Sequence, residues 1–403
     1  MSPGHRITTF LGLRRNIAAL LVMVVLVGMG EKLGERFLPI YLLALGGGAY
    51  SIGLLNGLDN LLSALYSFPG GYLSDRIGYK RALLVFNLVS MAGYLVVILW
   101  PTWQAVIIGA IAFISWDALS LPATMSLVAA ALPKDKRTMG VTLHSFVRRI
   151  PMALGQLIGG LFIAWFGERD GVRLAFVLAL VLGFVAIVLQ QSLIEEKGAR
   201  GKSEGNPLRL FRHMTPDLRN LLVSDILVRF CEQIPYAFAV VWAMKVVGVS
   251  SVQFGLLTTI EMLTAMLIYI PVAYLADRSG KKPFVAITFL NFTLFPLALL
   301  LSRSFAGLVV AFIIRGLKEF GEPTRKALIM DLAPEDQKAG MFGLYYLIRD
   351  VIVSFAAFGG AWLWTISPQV NFLAAAAFGA AGTLYFVFFG RDLPKLRTER
   401  PTV

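Results

Sequence analysis

The chain is 403 residues long, 57% hydrophobic and only 15% charged, with a mean hydropathy of +0.72, which lies outside the range of soluble globular domains and places it in a bilayer. A formal net charge of +13 would suggest nucleic acid in a soluble protein, but here the cations follow a membrane topology, and no nucleic-acid partner is expected. One cysteine, Cys231, excludes an intrachain disulfide or a CxxC metal site, and scattered His5, His144 and His213 with no HExxH, GxSxG or GxxxxGK leave no enzyme signature and no expected cofactor or metal.

About 20 residues at 1.5 Å rise cover a hydrocarbon core of roughly 30 Å. Twelve apolar stretches of that length predict spans at 16–45, 51–74, 81–100, 103–130, 138–166, 173–194, 219–246, 251–275, 283–302, 304–332, 338–366 and 369–390. Arg14 and Arg15 precede an apolar run as in a signal peptide, yet no small-residue cleavage site follows and Glu31 to Arg36 interrupts the run, so it reads as span one. There Glu31 and Glu35 share a helical face, and Lys32 and Arg36 the adjacent one. Span two carries Asp59, span four Asp117, and span five His144, Arg148 and Arg149.

A polar segment, 195–218, rich in Gly and charge, links the two halves, 1–194 and 219–403. Span seven then aligns Asp225, Arg229 and Glu232 on one face, span eight holds Glu261, and span ten aligns Arg315, Glu319 and Glu322 with Lys318 beside them. Span eleven carries Arg349 and Asp350 after Tyr345 and Tyr346. Spans three, six, nine and twelve contain no ionisable group in their apolar cores. A charge facing lipid at mid-bilayer costs from about 3 to more than 10 kcal/mol, so the charged spans must face protein or a wet cavity and the others form the outer support. The strips of spans seven and ten are expected to face each other across that cavity, with Asp117.

The halves are copies. At a shift of about 202 residues Pro69 meets Pro271, Gly53 meets Gly255, Asp59 meets Glu261 and Asp117 meets Glu319. Gly71-Tyr-Leu-Ser-Asp75-Arg76-Ile-Gly78-Tyr-Lys80-Arg81 after span two returns after span eight around Asp277 and Arg278. The short loops, linker and tail that hold Arg76, Lys80, Arg81, Lys134, Arg278, Lys281, Arg325 and Lys326 carry most cations, against Arg169, Arg173, Lys245 and Arg303 on the other side. The positive-inside rule therefore expects both termini in the cytoplasm, in a bacterial cytoplasmic (inner) membrane.

Twelve spans as six plus six, a basic linker and the Gly71 to Arg81 signature resemble the major facilitator superfamily of secondary transporters over essentially the whole chain. That resemblance implies an all-α membrane protein of two pseudo-symmetric six-helix bundles, with spans one, four, seven and ten lining a central cavity. It implies a conformational latch in which Gly71, Asp75, Arg76, Gly78, Lys80 and Arg81 dock against span eleven near Gly340, with Asp277 and Arg278 acting symmetrically near Gly140. Gly155-Gln156-Leu157-Ile158-Gly159-Gly160 resembles the glycine-rich signature of drug–proton antiporters, with Gln156 replacing a proline, and close helix packing explains the same residues. Glu35-Arg36-Phe37 is similar to a span-one pattern of proton-coupled peptide transporters.

Buried carboxylates hold protons readily unless a cation sits close, and guanidinium groups grip carboxylates in two-pronged fashion. Asp117 and Glu319 are thus the leading proton carriers, with an apolar-aromatic lining from Trp116, Tyr236, Phe238, Trp242 and Phe320. The expected activity is proton-coupled transport by alternating access, exporting an amphiphilic or anionic organic molecule in exchange for protons. The alternative is proton-coupled import of a small anionic metabolite or peptide. The expected partners are that small molecule, protons and the lipid bilayer, and the expected state is a monomer.

Overall fold

The computed structural model describes residues 15–114, 116, 147–194, 211–279, 281–333 and 338–391. Helices dominate it from end to end. Span one is built from Arg15–Gly34, a 3₁₀ turn at Glu35–Phe37 and Leu38–Ala44. Spans two and three are Ala49–Ile77 and Tyr79–Leu99, and the described part of span four is Trp103–Phe113. Spans five and six form one run, Arg149–Leu193, reversed at Gly167. Span seven comprises Pro216–Tyr236, Phe238–Val241 and a π-helical turn at Trp242–Val247, and begins at Pro216 rather than 219. Spans eight and nine are Ser251–Ser279 and Lys282–Leu301, span ten is split into Phe305–Leu317 and Glu322–Leu332, and spans eleven and twelve are Lys338–Ile366 and Pro368–Phe389.

Local sequence accounts for the ends. Thr102, Thr215, Ser304 and Ser367 each accept a hydrogen bond from a backbone N–H in the first turn that follows, replacing water for donors that a helix start leaves unpaired. Six of the described helices are long and apolar enough to cross a membrane, and a seventh is the pair Pro216–Tyr236 and Phe238–Val247, bent by 41°. The chain is a multi-pass integral membrane protein. Leu88, Phe184, Leu290 and Phe388, on spans three, six, nine and twelve, are exposed, as an outer layer in hydrocarbon requires.

The charged spans depart from the sequence expectation. Spans one, seven and ten are not continuous helices: spans one and ten break at charged residues, at Glu35–Phe37 and Lys318–Gly321, and span seven breaks near Pro235–Ala237, just past Glu232. Pro235 removes a backbone donor within span seven, and Pro323 fixes the first turn of the helix that restarts span ten.

Close packing follows small residues. A Cβ on Gly159 would lie 1.9 Å from the carbonyl oxygen of Leu33, so the glycine-rich stretch lets span five press onto span one. Its neighbour Gly160 faces the other bundle, where an added Cβ would sit 2.5 Å from the Ser251 carbonyl. The two bundles also meet where Asn56 donates to the Gln233 carbonyl at 3.1 Å, Ser251 to the Gly160 carbonyl at 2.8 Å and Thr259 to the Ala153 carbonyl at 2.8 Å. These contacts lie toward the end carrying the turns near residues 46, 101, 167, 249, 303 and 367.

Candidate functional site: an ionised cavity between the bundles

The breaks in spans one, seven and ten bring backbone and side chains around one small cavity of about 40 Å³. Leu38, Pro39, Leu55, Ile114 and Phe254 form an apolar wall, while Glu35, Arg36, Asn56, Asp59, Tyr236 and Arg315 are polar. The 3₁₀ turn carries Glu35 and Arg36 into this space, and the bend at Pro235 places Tyr236 there.

A single carboxylate organises the cationic side. Glu261 of span eight, only 1% exposed, lies 3.2 Å from Nε of Arg315 in its own bundle and 3.8 Å from Nη2 of Arg36 in the other. Tyr236 stands between the two guanidinium groups, its ring centroid 4.7 Å from Arg36 and 5.4 Å from Arg315. Phe295 and Phe312 also face Arg315, at 4.9 and 5.6 Å, and such ring faces partly replace the hydration lost on burial. Nη1 of Arg315 and Oε2 of Glu261 have no hydrogen-bond partner. On the carboxylate side, Lys32 bridges Glu31 at 3.2 Å and Glu35, so the two parallel strips expected on span one are one local ion cluster.

The strips of spans seven and ten do not face each other across a gap. They touch within one bundle: Arg229 pairs with Glu232 at 2.6 Å and Glu322 at 3.1 Å, and Lys318 pairs with Glu232 at 2.5 Å. Asp225 is fully buried and held by Arg325, by the Tyr345 hydroxyl at 3.0 Å and by Arg349 at 3.5 Å. Arg349 also binds Asp350 at 2.7 Å. Acids Asp225, Glu232, Glu322 and Asp350 balance bases Arg229, Lys318, Arg325 and Arg349, which is how charges survive where water is scarce. The physical reason is adjacency: spans seven and ten belong to the same bundle, so their facing ions neutralise each other directly.

Other expected residues fall as follows. Glu319 is tied across the bundles to Arg149 at 3.1 Å, and Arg148, at the start of span five, is also engaged by a partner. Asp117 and His144 lie outside the described residues. Of the expected aromatic lining only Tyr236 borders the cavity. Phe238 and Trp242 are buried in the core, Trp116 donates to Asn87 at 2.8 Å inside its own bundle, and Phe320 stacks on Phe284. Their apolar bulk was needed for packing between helices.

Among the latch residues, Gly78 adopts φ 89°, the left-handed region that its tight turn requires. Lys80 donates to the Gln191 carbonyl at 2.8 Å, within its own bundle, and Arg81 is exposed. Gly71, Asp75, Arg76, Asp277 and Arg278 are on helical backbone, and their side chains lie outside the described set. Two residues escaped the sequence reading. Arg325, counted there with the loop cations, is 0% exposed and central to the ion network; its spacing of three from Glu322 was the available signal. Gln233, uncharged in an apolar run, accepts from both Asn56 and Asn60 across the bundle boundary.

A sequence model of the Major Facilitator Superfamily matches residues 18–217 and 221–403. An uncharacterized MFS-type transporter of Methanocaldococcus jannaschii is 21% identical over 89% of this chain and 91% of its own length. A homolog of the multi-drug resistance efflux pump PmrA in Lactococcus lactis is 22% identical over 95% of this chain and 96% of its own. Among solved structures, the nucleoside transporter NupG superposes with a TM-score of 0.81 at 12% identity, covering 93% of this chain and 100% of that one.

Proposed function

The chain belongs to the Major Facilitator Superfamily of transporters, and from that membership we propose that it moves a small amphiphilic organic anion by proton-coupled alternating access, exporting it in exchange for protons. The observation that carries this reading is the cavity between the bundles, apolar on one wall and bearing two guanidinium groups that share the single carboxylate of Glu261. An apolar wall suits a hydrophobic body, and a pair of guanidinium groups suits an anionic group. The carboxylates Glu31, Glu35, Asp59, Glu261 and Glu319, close to the bundle boundary, are the proposed proton carriers with Asp117. Arg36, Arg148, Arg149 and Arg315 are the cations they exchange, while Asp225, Arg229, Glu232, Glu322, Arg349 and Asp350 form the scaffold of the C-terminal bundle.

The name of the Lactococcus relative supports export. The cation distribution supports cytoplasmic termini in a bacterial cytoplasmic membrane, with the described contacts joining the bundles at the outer end. A monomer suffices for this cycle, and the linker 195–218 joins its two rocking halves.

The test is transport by the purified protein in liposomes under an imposed pH gradient, with labelled amphiphilic anions. Saturable flux that is lost when the gradient is dissipated is expected. Passive ion-selective conductance would refute the proposal. Accumulation of the anion together with protons, rather than against them, would establish the import alternative, which the same guanidinium pair also favours.

A further inference from the structure

We infer that the groove between spans seven and twelve holds an anionic phospholipid whose headgroup is gripped by Arg219 and Arg391, independently of what the cavity carries. Three elements fix the end of span twelve. Asn220 of span seven donates to the Phe389 carbonyl at 3.4 Å and accepts from the Tyr385 hydroxyl at 3.1 Å, while Lys282 of span nine donates to the Val387 carbonyl at 2.8 Å. These donors serve carbonyls that the last turn of a helix leaves without partners, so Arg391, just past that turn, has a defined place. Its side chain is 77% exposed and meets Asp217 at 3.8 Å. Arg219 is exposed, lies over the Phe211 ring at 5.8 Å and pairs with no acid among the described residues. Asp331, the other acid described at this end of spans seven, nine and ten, is held by Lys281, and Asp392 lies outside the described residues.

The two arginines stand at the head of an apolar, lipid-facing surface. Span twelve has 22 residues, at about 1.5 Å each enough for a hydrocarbon core of roughly 30 Å, which puts Arg391 at headgroup depth. Val223 is exposed one helical turn along span seven from Arg219, Phe378 and Phe389 are exposed on span twelve, and Phe230 meets Phe378 at 5.2 Å further along the same two helices. An acyl chain laid on these residues brings its phosphate to the guanidinium groups, which hold phosphate oxygens in two-pronged fashion. A soluble acidic partner would leave the apolar surface uncovered, and a free phosphate would gain nothing from it. A zwitterionic headgroup carries its own cation beside the phosphate. An anionic headgroup does not, so its net charge stays available to the arginines, as for other basic sites beside membrane-spanning helices.

The test is native mass spectrometry of the full chain in detergent, titrated with dioctanoyl phosphatidylglycerol, dioctanoyl phosphatidylcholine and inorganic phosphate. Wild type is expected to bind phosphatidylglycerol at least about tenfold more tightly than phosphatidylcholine. Arg219→Gln and Arg391→Gln are each expected to lower that ratio by about threefold, and together to bring it close to one. Arg169→Gln combined with Arg303→Gln removes the same charge from exposed residues at the opposite end and is expected to leave the ratio as in wild type. A wild-type ratio near one overturns the inference whether or not the variants fold. An unchanged ratio in the folded Arg219 and Arg391 variants overturns it too, because the lipid then sits elsewhere, the cavity included. Equal loss in the opposite-end pair would reduce the effect to overall charge, and inorganic phosphate bound as tightly as phosphatidylglycerol would remove the groove from recognition; either result refutes the lipid site.

Discussion

Arg325 is shielded completely from its surroundings and yet charged, held by Asp225, by Glu322 at 2.6 Å and by the Tyr346 hydroxyl at 3.3 Å. Removing one member of such a group leaves the others buried and unpaired, which costs about 3–5 kcal/mol, whereas the intact pair contributes little net stability. Arg325→Ala is accordingly expected to lower the melting temperature of the detergent-purified protein sharply, and an unchanged melting curve would show that the network rearranges. Glu319 occupies a different position, since its partner Arg149 belongs to the opposite bundle. If that pair carries the proton step, Glu319→Gln lowers gradient-driven flux by about tenfold or more while the melting temperature stays close to wild type. Full flux in that variant removes Glu319 from the coupling. Neither contrast is visible in residue types, because both are acids or bases in apolar spans; only the partner tells them apart.

At the scale of elements, Glu35, Arg36 and Tyr236 sit where helices stop being regular, while Asp59, Glu261 and Arg315 stand on regular helices. Span seven bends by 41° around Pro235, and that proline leaves the Cys231 carbonyl without its usual i+4 donor. Pro235→Ala returns the donor and straightens the span, drawing Tyr236 away from Arg36 and Arg315. The expected result is weaker binding of the transported anion with an equal or higher melting temperature, and unchanged affinity would show that the bend does not position the ring. The broken spans also explain why the sequence overestimated helical continuity: hydropathy registers that a segment is apolar, while the geometry of a break depends on which carbonyls a neighbouring element can satisfy. Asn371 illustrates this, donating to the Ile234 carbonyl at 3.3 Å just before the bend, from span twelve.

For the whole molecule, the small residues of spans two, five, eight and eleven close one end of the boundary between bundles. A Cβ on Gly53 would fall 2.3 Å from that of Ala361, a steric overlap that forces spans two and eleven apart. Gly53→Val is therefore expected to hold this end open and to lower gradient-driven flux well below wild type, whereas full flux in that variant would contradict rocking of the halves against each other at this end. The exposed pair Lys245–Glu168, at 2.6 Å across the same end, is worth at most about 1 kcal/mol. Lys245→Glu should shift the closed state only slightly, read as a small change in flux.

Sequence alone determined that this chain spans a membrane many times, that its halves are related, and which spans carry charge, because the insolubility of charge in hydrocarbon and the length of a span act on each segment separately. It also marked Glu261, Arg36 and Arg315 as residues that cannot face lipid. Only the tertiary structure decided their partners. It divided the charged residues between a cavity shared by the bundles and a neutral network inside one of them, since pairing depends on which helices lie side by side and where each helix breaks, quantities that no single segment encodes.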